Sequence, residues 1–250
     1  MQTFLLEGCI DSVASAAAAE RGGADRLEVC ADLPVGGTTV RPSVFRQIRA
    51  LVKIPLRVLI RPRFGDFLFE EVQIREMEED IRTLKDLGAD GVVIGALRPD
   101  GTLDTAVMER LILAAGGLPV TLHRAFDMTR DSMEALETAV GLGVDTILTS
   151  GQRDVCTEGI DLLKALQEQA AGRIHVMCGS GVRADNIEEL ARTTGIRCFH
   201  MSGSKTRASG MVYRNPKVHM GLKDLSEYEI RESDEGQFRQ AAAILGKLYG

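Results

Sequence analysis

The chain has 250 residues, room for one large single-core domain or two small ones. Thirty Lys and Arg against 36 Asp and Glu leave a formal charge of −6. That balance excludes a non-specific nucleic-acid binder, and the absence of Trp leaves few platforms for stacking bases.

Residues 111–123 form the longest stretch free of Asp, Glu, Lys and Arg. It is too short for a bilayer helix, which needs about 20 apolar residues. The N-terminal segment carries no Lys or Arg before Arg21 and so lacks the basic start of a secretory leader. Five scattered cysteines, an odd number, make no disulfide framework. These features predict a cytoplasmic protein with reduced thiols that engages neither nucleic acid nor membrane.

Short apolar runs alternate with longer amphipathic ones along the whole chain. Residues 4–10 read as a strand, and 11–21 as a helix opened by Asp11 and Ser12, both good N-caps. A strand over 26–30 leads through Pro34, Gly36 and Gly37 to a helix at 43–52. The third strand, 56–61, precedes a long charged helix at 70–87 that Gly88 stops. Strands at 91–97, 120–126, 146–149 and 174–177 are followed by helices at 105–115, 132–142, 160–170 and 186–193. A strand at 197–201 and a helix at 234–249 close the sequence.

Gly23-Ala24-Asp25, Gly88-Ala89-Asp90 and Gly143-Val144-Asp145 each end a helix and precede a strand, the punctuation of repeated βα units. Strict alternation of eight strands and eight helices implies a parallel sheet with right-handed crossovers. The predicted fold is a single α/β domain over 1–250, a closed (β/α)8 barrel; an open doubly wound sheet would need fewer units. Residues 205–232 are predicted as a long irregular loop, a lid or an oligomer arm. A homo-oligomer, dimer or tetramer, is expected.

Barrel side chains alternate between lumen and helix layer, and the strand C-termini form the working face. This phase places Glu7, Glu28, Arg57, Arg61, His123 and His200 in one lumen. Isolated charges inside are costly unless paired, so one reading is a salt-bridge network that fills the barrel. The other is a small-molecule or metal site. The turn Gly179-Ser180-Gly181 and the segment Ser202-Gly203-Ser204-Lys205 follow the last two strands, where glycine-rich turns let backbone amides approach an anion. Cys9 and Cys30 end adjacent strands, about 4.8 Å apart, with a common inward phase. Two thiolates there suit a soft ion such as Cu(I) or Zn(II), although free Cys is also a common small core residue. Cys156, Cys178 and Cys198 read as structural.

Several longer strings carry a resemblance. Glu7-Gly-Cys-Ile-Asp-Ser12, the run 22–30 ending in Leu27-Glu28-Val29-Cys30, and Ile60-Arg-Pro-Arg63 with Gly65-Asp-Phe67 belong to it. So do His123-Arg-Ala-Phe-Asp-Met128, Leu148-Thr-Ser-Gly151 and Tyr213-Arg-Asn215. Together they resemble the CutC family of copper-homeostasis proteins over nearly the whole chain. The sequence departs from that pattern at Arg63-Phe64-Gly65, where many members have two glycines, and at Cys178-Gly-Ser-Gly181, where others have a run of Gly or Ala.

The resemblance implies a cytosolic (β/α)8 barrel, a link to copper, and Cys9 and Cys30 as Cu(I) ligands, with no organic cofactor. The thiols alone leave Glu7, Arg61, Arg63, His123, Arg124 and Asp127 unexplained, because cations repel a metal ion. Those groups fit a second expectation: an enzyme, of lyase or isomerase type, acting on a small phosphorylated or carboxylated metabolite. Glu7 or His123 would then serve as acid or base, and Arg61, Arg63, Arg124, Asp127, His200 and the two Gly-Ser turns would bind the anion.

Overall fold

Eight strands close, in chain order, into a parallel barrel: β1 (Leu5–Ile10), β2 (Arg26–Val29), β3 (Leu56–Leu59), β4 (Gly91–Ile94), β5 (Val120–Leu122), β6 (Thr146–Thr149), β7 (His175–Cys178) and β8 (Cys198–Met201), with β8 pairing back onto β1. The computed structural model describes residues 3–220, 222 and 225–250. Helices α1 (Val13–Arg21), α2 (Pro42–Leu51), α3 (Glu71–Asp86), α4 (Thr105–Ala115), α5 (Ser132–Gly141), α6 (Ile160–Ala170), α7 (Ile187–Thr194) and α8 (Glu235–Tyr249) each follow one of these strands. The expected (β/α)8 barrel is the fold observed.

Local chemistry sets the helix starts. Ser12 caps α1 by accepting from the Ser15 amide, Asp131 caps α5 by accepting from Met133 and Glu134, and Glu70 with Gln73 forms a reciprocal capping box on α3. The Gly-x-Asp repeat also has a physical basis. Gly23, Gly88 and Gly143 take φ of +95°, +95° and +75°, which ends each helix, and the following Asp amide joins the neighbouring strand. The side chains of Asp25 and Asp90 then accept from the Leu6 and Leu56 amides, both at 2.8 Å. Asp145 instead turns across the barrel floor to Arg57.

The two faces of the strands separate two interiors. Leu6, Ile10, Leu27, Val58, Ile94 and Phe199 face outward and pack with Phe45, Met77, Leu111, Leu136 and Phe238 of the helix layer. Each such side chain contributes about 1.5–3 kcal/mol when fully buried. Inside the barrel, Cys30, Leu59 and Val93 form a separate small apolar cluster, against which Cys9 and Leu33 pack.

Several predicted elements differ; the third and fourth strands end at Leu59 and Ile94 rather than at 61 and 97. The fifth strand ends at Leu122 rather than 126, because His123 caps a short 3-10 turn, Arg124–Met128, by accepting from the Ala125 amide. Residues beyond His123 therefore leave the strand's alternation. The region 205–232 is also less irregular than expected. Its ends form an antiparallel ribbon of β9 (Ser204–Ala208) and β10 (Glu229–Ser233), tied to the barrel where Ser233 N–H donates to Ser15 Oγ and Asp234 N–H to Gly203 O. Residues 221, 223 and 224 of that region lie outside the described residues.

Candidate metal and anion site at the barrel mouth

A ladder of charged and sulfur side chains runs up the lumen side of β1, β2 and β8. Register places Glu7 opposite Arg26 and His200, and Cys9 opposite Glu28. At the floor, Arg57 donates to Asp145 at 2.8 Å and to Thr121, while Arg26 pairs with Glu7 and touches Met177 sulfur. Arg26, Arg57 and Asp145 border a cavity of about 610 Å³ at the strand N-termini, away from the mouth. In the middle, Glu7 is 1% exposed and its second oxygen lies 2.8 Å from His200 Nδ1. Above it, one donor atom each of Cys9, Glu28 and Cys30 lie within 4.8 Å of one another, and the same holds for Glu7, Glu28 and His200.

The electrostatics of this ladder are coupled. Burial works to raise the Glu7 carboxyl, but Arg26, His200 and Arg57 outweigh it and hold the group at about 2. Burial likewise opposes charge on His200, yet Cys9, Glu7 and Glu28 lift it well above the usual histidine range, so it is an imidazolium at neutral pH. The Cys30 thiol, donating to Cys9, draws Cys9 down to about 5 against burial, with His200 assisting. Cys30 itself is pushed well above the normal thiol range by that same bond and by burial. Burial and the Cys9 charge raise Glu28 to about 8. The result is one thiolate, one thiol and a protonated carboxyl grouped above an imidazolium.

Over this group opens a cavity of about 720 Å³, lined among others by Cys9, His200, Arg124, Ser180, Gly181, Gly203 and Ser204. The structure thus gathers much of the predicted set around one space. The preceding Gly179 does not line it; a Cβ there would come 2.5 Å from Leu148 Cδ1. Gly203 leaves room for the Phe238 ring, 2.7 Å from where its Cβ would sit. Arg124 is engaged by the protein: Nε donates to Asp127 at 2.7 Å, and Nη1 and Nη2 donate to Ser180 Oγ, Ser150 Oγ and the Arg153 carbonyl. Asp127 also accepts from Thr149, Ser150 and Gln152, so this pair fastens the turn after β5 to the loop after β6.

Three expected residues stand apart from the cavity. Arg61 and Arg63 border a different groove, of about 740 Å³, with Pro34, Phe64 and Met220. Arg63 binds Asp66 and the Leu68 carbonyl and so staples its own loop. His123, 5% exposed, accepts from Ala125 N–H at Nδ1, and burial and then Arg61 push it down to about 3. It is a neutral ring at physiological pH. Arg61 Nε and His123 Nε2 are, among the described residues, the only buried side-chain nitrogen or oxygen atoms without a hydrogen-bond partner. An orphan of this kind costs about 1–3 kcal/mol.

Sequence reasoning missed Arg26 and Asp145. Arg26 shares the inward phase of Glu28 and Cys30, and a charge at the base of a buried strand beside Glu7 was the available signal. Asp145 was visible only as punctuation, because its partner Arg57 lies 88 residues away.

Comparison with known proteins agrees with the fold. The CutC family model matches residues 4–205. The human protein named copper homeostasis protein cutC homolog is 47% identical over 242 residues, covering 96% of this chain and 89% of that protein. A Bacteroides fragilis CutC family protein is 48% identical over 231 residues, 92% of each chain. A solved CutC structure from Streptococcus agalactiae superposes with a TM-score of 0.77 at 33% identity, covering 80% of this chain and 98% of that one. Thiamine phosphate pyrophosphorylase from Pyrococcus furiosus, at TM-score 0.61 and 16% identity, shares the barrel alone. On this evidence the chain belongs to the CutC family.

Proposed function

We propose that this protein serves copper homeostasis by holding a Cu(I) ion between Cys9 and Cys30 at the mouth of the barrel, in the cytoplasm. The observation that carries the reading is the grouping of the two sulfurs with Glu28 within 4.8 Å, beneath an open cavity that Cys9 lines. The donor set fits the ion. Thiolates favour Cu(I) over hard cations, and a thiolate rather than a thiol is the ligand. Cys9, lowered to about 5, supplies that charge, and the Cys30 thiol carries the proton that metal binding would release. Relatives bearing the copper-homeostasis name support the same conclusion.

Of the arginines that argued against a metal, Arg63 and Arg124 are paired with Asp66 and Asp127, and Arg61 donates to the Gly37 and Gly65 carbonyls. Arg26 and Arg57 neutralise Glu7 and Asp145 at the floor, and Arg124 neutralises Asp127, so the sulfurs face no free guanidinium from these residues. No helix among the described residues is long and apolar enough to cross a membrane. The excursion between β9 and β10 supports self-association into a dimer or tetramer, since it exposes Met211, Val212, Tyr213 and Met220, with Val212 99% exposed.

Anaerobic titration with Cu(I) against a chelator of known affinity tests the assignment. Loss of the tight site in both Cys9→Ser and Cys30→Ser is the expected result; unchanged affinity in both would overturn it.

A further inference from the structure

The two orphan donors mark a second site. Arg61 spends its terminal nitrogens on backbone carbonyls: Nη1 donates to Gly37 O at 3.0 Å and Nη2 to Gly65 O at 2.7 Å. Its Nε–H is left over. His123 spends Nδ1 as an acceptor for Ala125 N–H, which fixes the tautomer with the proton on Nε2, and that N–H is also left over. Native proteins pair nearly all such groups, so two in one neighbourhood call for a partner.

Both donors flank one side chain. Arg61 Cζ lies 4.9 Å from the centre of the Phe67 ring, and the His123 ring centre lies 4.9 Å from the same point. The aromatic ring beside both groups offers them only a weakly accepting face. Phe67 sits on the loop after β3, whose neighbours Phe64, Gly65, Asp66 and Leu68 are exposed, and its backbone is fixed by Leu97 N–H donating to its carbonyl at 2.8 Å. Phe67 is half-buried and packs on the core of the helix layer, so admitting an acceptor requires its ring to turn aside. Gly95 completes the arrangement, because a Cβ there would come 2.5 Å from His123 Cε1.

We infer that Arg61 Nε–H and His123 Nε2–H form a two-donor cradle for one oxyanion of a small carboxylate or phosphate compound, gated by the Phe67 ring. One cationic and one neutral donor match a singly charged oxygen, and a charged acceptor makes the stronger bond with each. His123 acts here as a fixed donor in place of the acid or base expected from sequence. The cradle is built from β3 and β5 and does not rest on the copper reading.

The test uses protein labelled with ¹⁵N in its histidine rings. The His123 Nε2–H resonance, assigned by its loss in His123→Asn, is followed during titration with acetate and with inorganic phosphate, with chloride at matched ionic strength as control. A saturable shift with either oxyanion, absent with chloride, is expected, and the responding anion identifies the class. The same shift is expected in Cys9→Ser/Cys30→Ser protein, which separates this site from the metal site. Phe67→Ala removes the gate and should tighten binding by roughly tenfold if the closed form dominates by that factor. Arg61→Lys, which keeps the charge and loses the Nε–H, should weaken it. No saturable shift in wild type or in Phe67→Ala, or an equal response to chloride, would overturn the cradle.

Discussion

His200 Nδ1 lies 2.8 Å from Glu7 Oε1, while the other Glu7 oxygen is bound by Arg26 Nε. One buried carboxylate thereby joins the cationic floor of the barrel to the imidazolium beneath the thiols. Held at about 2, Glu7 stays charged through the physiological range, and His200 stays protonated beside Cys9. The link explains how a lumen so rich in charge remains neutral by neighbourhood, each ion facing its partner at the next level of the ladder.

Removing Glu7 should therefore strand two cations. Glu7→Ala is expected to destabilise by about 3–5 kcal/mol, the usual cost of leaving a buried charge without its partner. Urea unfolding measures this, and Glu7→Ala/Arg26→Met should recover part of the loss, because the residues are directly coupled. A loss below about 1 kcal/mol, the scale of an exposed pair, would contradict the network.

Acid should unfold the protein in two steps of different origin. His123 is depressed from 6.5 to about 3, so its neutral form favours the fold above pH 6.5, and that contribution fades as pH falls from 6.5 toward 3. Glu7, depressed from 4.5 to about 2, adds a second loss between those values. Thermal melts in His123→Asn should show a flatter dependence between pH 6.5 and 4.5 than wild type, with the lower step retained. Parallel curves throughout would contradict the burial of a neutral ring.

Glu28 has the opposite sign. Raised to about 8, it favours the fold while protonated and that contribution is lost as pH climbs from 4.5 through 8. Glu28→Gln keeps the neutral shape, so its melting temperature relative to wild type should rise as pH goes from 6 to 9. A constant difference would mean that the carboxyl is already ionised at pH 6.

Gly95 is expected to resist substitution. A Cβ there would meet His123 Cε1 at 2.5 Å and Nδ1 at 2.7 Å, both in a ring fixed by its own cap. Gly95→Ala should cost about 1–3 kcal/mol, as overpacking does, and His123→Ala in the same chain should relieve it. Equal stability of Gly95→Ala and wild type would show that the ring is free to move.

The barrel was legible because its grammar is local. A Gly-x-Asp stop before a strand and capped helix starts at Ser12 and Asp131 are encoded within a few residues, and alternation then gave the inward phase of Glu7, Cys9, Glu28 and His200. What failed was anything set by distant partners or by a cap that interrupts a strand. His123 looked like part of a longer strand because it continues the alternation of Val120 and Leu122 against Thr121; the Nδ1 cap on Ala125 is invisible to periodicity. Arg61 was placed in the lumen, yet β3 ends at Leu59; its guanidinium donates to the Gly37 and Gly65 carbonyls, and that of Arg63 to Leu68 of its own loop. Arg57 was placed in the lumen by its phase, but its partner Asp145, at the floor of β6, was out of reach of the sequence pattern.

The self-association proposed above is carried by the exposed apolar arm. Replacing Val212, which is 99% exposed, and Met211 together with Asp should shift the mass measured by light scattering from an oligomer to the monomer without lowering the melting temperature of the barrel. A monomeric wild type at micromolar concentration would contradict this part of the account.

The central claim concerns which atoms hold the metal, and X-ray absorption at the copper K edge of anaerobically loaded protein addresses it directly. The account predicts Cu(I) with two sulfur scatterers in wild type and in Cys156→Ser, Cys178→Ser and Cys198→Ser proteins, and loss of that sulfur shell in Cys9→Ser/Cys30→Ser. An unchanged sulfur shell in the double variant, or a shell of nitrogen and oxygen alone in wild type, would contradict it.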